Sequence, residues 1–205
     1  MSHPYYPTDL DIVNYVPNDK SQLELLLTFG TLVVCLSAVL FRWTHSPFRL
    51  IWFVLCGLLH CGFELYWLLN RDRIASQNDL LAQLWKEYGK GDSRYMVMDK
   101  QLILLESLTI FIYGPLCFIT AYLILTKSSR QYFFQLTVSL CHLLSCTQYF
   151  LTELPEAIHC DPSPFYFWVY LVAFNAPWVI VPLLCLVQSY QHIHQAFDHA
   201  RIKHE

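Results

Sequence analysis

The chain of 205 residues has the length of one ordinary domain, but 55% of its residues are hydrophobic and only 14% are charged. This composition argues against a soluble domain and predicts an integral membrane protein. The formal net charge of −3 is small and no run rich in lysine and arginine is present. Nucleic acid is therefore not an expected partner.

The first segment, residues 1–22, combines prolines, tyrosines and capping residues. It lacks a basic stretch followed by an apolar stretch, so we expect no cleaved signal peptide. Tyrosines favour the headgroup level of a bilayer. We therefore predict an N-terminal arm that lies along the membrane interface.

Five long apolar segments follow, and each is long enough to cross a bilayer as a helix at about 1.5 Å per residue. They cover residues 23–41, 50–69, 102–125, 132–151 and 165–187. The predicted fold class is an all-α integral membrane protein with five transmembrane helices around an intramembrane ligand pocket. These helices form one domain, residues 23–190, and a polar tail, residues 191–205, follows it.

The connection between the second and third apolar segments, residues 70–100, is polar and unusually long. Leu80, Leu81, Leu84 and Trp85 follow helical spacing, and glycines interrupt the pattern shortly afterwards. Two interpretations stay open, a solvated linker and a short amphipathic helix that lies on the membrane as a lid. The apolar stripe favours the lid.

The second apolar segment carries His60 and Glu64 near its middle. Residues four apart share one face of a helix, so the imidazole and the carboxylate can touch. An ionisable residue at membrane depth costs at least about 2.5 kcal/mol, and it is tolerated where it is paired or functional. A packing pair is one interpretation. A pair that shares a proton near neutral pH, as acid–base catalysis requires, is the interpretation that we favour.

Further polar or aromatic residues in the predicted spans are Glu106, Thr109, His142, Asn175 and Trp178. Glu106 lies near a helix start, where an interfacial position is equally consistent with the sequence. Asn175 is also explained by a hydrogen bond between helices, and Trp178 by a core or interface position. We interpret His142 as structural. Two buried carboxylates nevertheless exceed what helix packing requires.

Prolines predict two irregular points in these helices. Pro115 removes a backbone hydrogen bond and predicts a kink in the third span. Pro177 leaves the carbonyl of Ala173 without its usual partner, so a polar cavity near Asn175 could satisfy it.

Cys56, His60 and Glu64 form a stripe with a spacing of four, which is compatible with a metal site. The clustered histidines of membrane di-iron enzymes are absent, and so are glycine-rich nucleotide motifs. We therefore expect neither a metal nor another cofactor.

The sequence resembles the emopamil-binding protein family of sterol isomerases and the wider EXPERA group. The resemblance spans nearly the whole chain, and five motifs carry it. These motifs are CGLLHCGFE (56–64), LWKEYGKGDSRY (84–95), ESLTIFIYGPL (106–116), YFLTE (149–153) and YFWVYLVAFNAPW (166–178). The resemblance implies a 3β-hydroxysteroid Δ8,Δ7-isomerase of the endoplasmic reticulum that uses no cofactor.

The resemblance also implies roles for individual residues. His60 and Glu64 would form the acid pair, and Glu106 with Thr109 would accept a proton, although which carboxylate gives the proton stays open. Asn175 would orient the substrate. Trp178 would present a π face to the carbocation, and Tyr113 would be a further substrate-stabilising residue.

Departures from the family occur at Tyr113, where animal isomerases have Trp before the Gly-Pro pair, at Pro177, and across residues 144–146. These departures concern the shape of the ligand that the pocket accepts and not the chemistry. Expected partners are a sterol, cationic amphiphilic amines and the membrane, and a homodimer is allowed. The C-terminus is expected on the cytoplasmic side. The alternative function is a non-catalytic protein that binds sterols and cationic amphiphiles in the same pocket.

Overall fold

The computed structural model of the chain describes residues 3–43 and 46–202. Six helices, numbered here along the chain, are α1 (Gln22–Leu40), α2 (Pro47–Asn70), α3 (Leu80–Tyr88), α4 (Lys100–Leu125), α5 (Gln131–Glu153) and α6 (Tyr166–Ile202). Short 3₁₀ turns at Ile74–Ser76 and Ser93–Met96 flank α3. No β-strand occurs within the described residues, which confirms the predicted all-α class.

Four helices of the described chain, α1, α2, α4 and α6, are long and apolar enough to cross a bilayer. The predicted count of five spans is therefore not confirmed, because α5 is not among the four. Although α5 has 23 residues, its buried face is polar and its exposed face is apolar. The buried side includes Gln135, Ser139, His142 and Ser145, whereas Leu140, Leu144 and Leu151 are exposed.

The helix ends follow capping side chains more closely than they follow apolar runs. Ser21 and Glu24 form a capping box at the start of α1. The Asp99 side chain accepts a hydrogen bond from the Leu102 backbone, so α4 begins at Lys100, before the predicted residue 102. At the other end of the chain, α6 continues to Ile202 through most of the segment predicted as a tail. There the His192 ring stacks on Tyr132, with centroids 4.0 Å apart.

Three of the long helices contain π-helical segments, at Leu59–Glu64 in α2, Thr109–Tyr113 in α4 and Tyr166–Ala173 in α6. The segment in α4 lies immediately before Gly114 and Pro115, where the sequence predicts a kink. In α6, the turn at residues 174–176 precedes Pro177. Wider turns of this kind accommodate an extra residue and frequently occur at functional sites.

The polar connection, residues 70–100, packs into the protein as a cover over one end of the helices, and we call it the cover segment. Six consecutive residues of α3, from Ala82 to Glu87, are buried. The N-terminal arm lies against this segment: Tyr5 donates its O–H to the Lys86 carbonyl at 3.0 Å, and the Lys86 ammonium donates to the Val16 carbonyl at 2.8 Å. The arm and the cover segment therefore form one packed layer.

Candidate active site

A cavity of about 380 Å³ lies between the long helices and the cover segment. Its lining includes seven of the eight residues that the sequence singled out: His60, Glu64, Glu106, Thr109, His142, Asn175 and Trp178. Leu25, Leu26 and Phe29 of α1 add hydrocarbon surface. A mostly apolar cavity with a few convergent polar groups is the usual form of a small-molecule site.

His60 and Glu64 are in direct contact on the wall formed by α2. His60 Nδ1 lies 2.8 Å from both carboxylate oxygens of Glu64. The imidazole side chain is 3% exposed and the carboxylate 14% exposed, so the pair is largely removed from water and from lipid. Both residues lie within the π-helical segment of α2. The predicted four-residue pair thus forms with its carboxylate at the cavity.

Thr109 joins this pair to the second carboxylate. Its hydroxyl donates to Glu64 Oε2 at 2.5 Å and lies 3.4 Å from Glu106 Oε2. Glu106 is 5% exposed, so it lies inside the bundle rather than at an interface. One hydroxyl can accept a proton on one side as it donates one on the other. Thr109 therefore places one hydroxyl between the two carboxylates.

Tyr95 of the cover segment binds the carboxylate oxygen of Glu106 that does not face Thr109. Its O–H donates to Glu106 Oε1 at 2.6 Å. Burial raises the pKa of Tyr95 well above its usual range, so this phenol stays protonated and acts as a donor. Sequence reasoning gave Tyr95 no role, although it lies in one of the quoted motifs, because its position in a polar connection does not reveal a partner in α4.

His142 is the other residue whose position sequence reasoning missed. Its Nε2 lies 3.2 Å from His60 Nε2, and the ring is 2% exposed. The sequence interpretation of His142 as structural did not include this contact with the acid pair. The six side chains His142, His60, Glu64, Thr109, Glu106 and Tyr95, called here the polar chain, are linked end to end by hydrogen-bonding contacts.

An aromatic wall stands beside the polar chain. The Trp178 and Trp52 rings have centroids 5.5 Å apart, and both side chains line the cavity. Trp52 also makes an edge contact with the His142 ring at 6.2 Å. Indole faces attract a cation through their quadrupole. The cavity therefore combines buried carboxylates with a π-rich surface.

Asn175 lies at the break in α6 that precedes Pro177. Its amide donates to the Leu171 carbonyl at 2.8 Å and to the Tyr88 hydroxyl at 3.3 Å. The first bond satisfies a carbonyl within the helix, and the second ties α6 to the cover segment. Asn175 thus shapes the cavity and also contributes a polar edge to its lining.

Tyr113 departs from the site that the sequence predicts. Among the described residues it is not part of the cavity lining, and its ring packs edge-on against His142 with centroids 6.2 Å apart. The π-helical turn that ends at Tyr113 accounts for this position, because an extra residue in a turn rotates the side chains after it by about 100° around the helix axis. Tyr113 therefore packs against the His142 ring and does not line the cavity.

Possible metal ligands form a different set from the stripe predicted from the sequence. The ligand atoms of Cys56, His60 and His142 lie within 4.8 Å of one another, and all three residues are buried. Glu64 instead bonds the opposite nitrogen of the His60 ring. No such proximity was predictable from spacing alone, because His142 comes from another helix.

Comparison with known proteins agrees with the resemblance noted in the sequence. Residues 80–189 match the model of the EXPERA family (EXPanded EBP superfamily). A probable 3-beta-hydroxysteroid-Delta(8),Delta(7)-isomerase of Oryza sativa subsp. japonica is 30% identical, over 98% of this chain and 96% of the relative. The 3-beta-hydroxysteroid-Delta(8),Delta(7)-isomerase of Mus musculus is 32% identical, over 95% and 90%. A protoglabretal synthase of Citrus sinensis is 35% identical, over 70% and 68%.

Proposed function

We propose that the chain, which belongs to the EXPERA family (EXPanded EBP superfamily), is a sterol isomerase of the membrane that moves a B-ring double bond from the Δ8 to the Δ7 position. The names of the rice and mouse relatives support an isomerase acting on a sterol. The observation that carries the mechanism is the polar chain, which links two buried carboxylates along one wall of a sterol-sized apolar cavity.

The reaction adds one proton and removes another. Protonation of the double bond gives a tertiary carbocation, and loss of a proton from the neighbouring carbon forms the new double bond. His60 with Glu64 and Glu106 with Thr109 are the two groups that exchange these protons with the sterol. Because Thr109 lies between the carboxylates, the proton taken from the carbocation can return along the polar chain to the donor. The cycle then needs no external reductant, oxidant or base.

The cation needs a surface that stabilises it without attacking it. Trp178 and Trp52 offer indole faces, worth about 2 kcal/mol for a desolvated cation, and the carboxylates add a negative charge. Burial under the cover segment keeps away water that would trap the cation. Asn175 positions the substrate from the opposite helix.

The membrane setting of this proposal is a five-span protein of the endoplasmic reticulum with a cytoplasmic C-terminus. In this arrangement α5 also crosses the bilayer. Its polar face is buried against the other helices and its leucines are exposed, which suits a helix surrounded by protein on one side and lipid on the other.

The function is tested by incubating the purified chain with a Δ8 sterol in heavy water and analysing the sterol that forms. The proposal predicts deuterium incorporation and a Δ7 product. Glu106→Gln should lower kcat by about 10²- to 10⁴-fold, the usual contribution of a general acid or base. Glu156→Gln makes the same chemical change at an exposed position and should retain turnover.

The same experiment distinguishes the isomerase from the alternative, non-catalytic function. A protein that binds the Δ8 sterol but never incorporates deuterium is a non-catalytic sterol-binding member of the family, and the isomerase proposal would be wrong. Turnover of a different substrate in place of the sterol would show an enzyme with another reaction, and the Citrus sinensis relative, named a protoglabretal synthase, has a name of this other kind.

A further inference from the structure

Two cysteines and two histidines converge beside the polar chain, where α2, α4 and α5 meet. Cys56, His60 and His142 have ligand atoms within 4.8 Å of one another. Cys117 Sγ lies 3.8 Å from His142 Nε2. Cys56 and Cys117 are fully buried, and the two histidines are each 2% exposed. The proposed isomerisation uses neither thiol.

Two distances within this cluster are close to those between ligands around a tetrahedral ion. Nitrogen and sulfur ligands at about 2.0 and 2.3 Å from zinc are about 3.3 Å apart for a nitrogen pair and about 3.5 Å apart for nitrogen and sulfur. The His60 and His142 Nε2 atoms are 3.2 Å apart, and the Cys117 Sγ to His142 Nε2 distance is 3.8 Å. An ion could bind with small movements of these side chains.

The surroundings of the His60 ring are also those of a histidine that binds a metal ion. Its Nδ1 bonds the Glu64 carboxylate, which leaves Nε2 directed at His142, in the cluster that also contains Cys56. A histidine that binds a metal through one nitrogen usually donates its other N–H to a carboxylate, and this contact fixes the ring. Among the residues that the structure describes, His142 Nδ1 has no hydrogen-bond partner, so Nε2 is the nitrogen through which His142 interacts with its polar neighbours.

We propose that Cys56, Cys117, His60 and His142 form a binding site for a thiophilic divalent cation of the zinc class. Two thiolates with two imidazoles favour zinc over magnesium or calcium, which prefer oxygen ligands. A bound ion holds the His60 ring by its Nε2 and fixes it beside the cavity. Because the ion occupies the Nε2 lone pair, the His60 ring can no longer take up a second proton, and the His60–Glu64 pair loses part of its capacity to donate one. The ion is therefore an inhibitor of the isomerisation, and this consequence, unlike binding itself, rests on the proposed function.

The direct test uses the purified full-length chain in detergent, stripped of metal and titrated with Co²⁺. The proposal predicts saturable uptake of one ion per chain, with the sulfur-to-cobalt charge-transfer band and the intense visible bands of tetrahedral thiolate cobalt. Zn²⁺ should displace the cobalt and remove these bands. Absence of saturable uptake, or uptake without the sulfur band, would overturn the site.

Variants identify the ligands. Cys117→Ser and His142→Gln should each weaken Zn²⁺ binding by about tenfold or more, since even partners that only touch a ligand contribute about 10- to 100-fold. Cys160→Ser alters another buried cysteine outside the cluster and should bind as the unmodified chain does. Equal loss in all three variants would contradict the assignment, and size-exclusion chromatography with circular dichroism shows whether each variant is folded.

Inhibition is measured separately from binding. With a Δ8 sterol as substrate, Zn²⁺ should stop turnover over the same concentration range in which it displaces cobalt. Full turnover by zinc-loaded protein would contradict inhibition and leave the site in place. If the chain turns over no sterol at all, the proposed function fails, but the cobalt spectrum still decides whether the site exists.

Discussion

Thr109 is the residue whose side chain connects the two halves of the proposed chemistry. Its hydroxyl is the contact between Glu64 and Glu106 in the polar chain, and it is 8% exposed. Valine has nearly the same shape without the hydroxyl. The Thr109→Val variant should therefore preserve the cavity and remove the route by which the proton returns.

We expect Thr109→Val to lower kcat by about 10²-fold, within the usual contribution of proton transfer, with a smaller change in KM. Thr109→Ser restores the hydroxyl and should recover most of the rate. Steady-state kinetics on the Δ8 sterol with all three proteins measures the difference. Equal kcat values for the valine and serine variants would show that the hydroxyl carries no proton.

Sequence reasoning found the residues of this site whose partners are near in sequence. His60 and Glu64 are four residues apart on one helix, so their contact follows from helical spacing alone. The contacts of His142 with His60 and of Tyr95 with Glu106 depend on how distant segments pack. Local spacing contains no information on that packing, so these two residues could not be assigned to the site.

At the scale of elements, the long apolar runs predicted where helices lie, but they could not predict where the helical repeat changes. The π-helical turn Thr109–Tyr113 shifts the face of α4, and Tyr113 consequently packs behind His142. The same limit applies to α5. Apolar composition indicated a span, whereas its polar buried face is recognisable only once its neighbours are known.

The cover segment meets α6 through a close contact at Gly91. A Cβ atom added there would lie 2.6 Å from Tyr170 Cβ, which is shorter than real Cβ contacts. Tyr170 lines the cavity and packs close to α3, where its hydroxyl donates to Glu87 at 2.9 Å. Even a methyl group at residue 91 must therefore push the cover segment away from α6.

We expect Gly91→Ala to destabilise the docking of the cover segment by about 1 to 3 kcal/mol, the usual cost of overpacking. Sterol KM should rise, and proteases should cleave residues 70–100 more readily. Gly30→Ala is the matched control, because nothing lies within 4 Å of the added Cβ. If both variants resist protease equally, the cover segment does not depend on this contact.

At the scale of the whole molecule, one cavity is bordered by all six helices through separate groups. α1 supplies hydrocarbon, α2 and α4 the carboxylates, α5 His142, α6 Trp178 and Asn175, and the cover segment Tyr95 and Tyr88. A ligand that fills the cavity contacts all of these elements together. Binding should thus stabilise the folded protein as a unit.

A sterol-sized tertiary amine, protonated near neutral pH, has the charge of the carbocation and should bind by pairing with Glu64 or Glu106 against the Trp178 face. At about 100 times its Kd, a ligand adds about 2.7 kcal/mol to folded-state stability. For a chain of this size that amounts to a rise in Tm of about 5 to 10 °C. Thermal unfolding in detergent, with and without the amine, measures this rise.

The control ligand is the same skeleton with carbon in place of nitrogen, which keeps the apolar contacts and removes the charge. It should raise Tm less than the amine does, because only the amine pairs with a carboxylate. Glu106→Gln should reduce the difference between the two ligands, whereas Glu156→Gln, at an exposed position, should preserve it. Identical shifts for amine and carbon analogue would mean that burial of apolar surface alone drives binding, and the buried carboxylates would then have no part in recognising a cation.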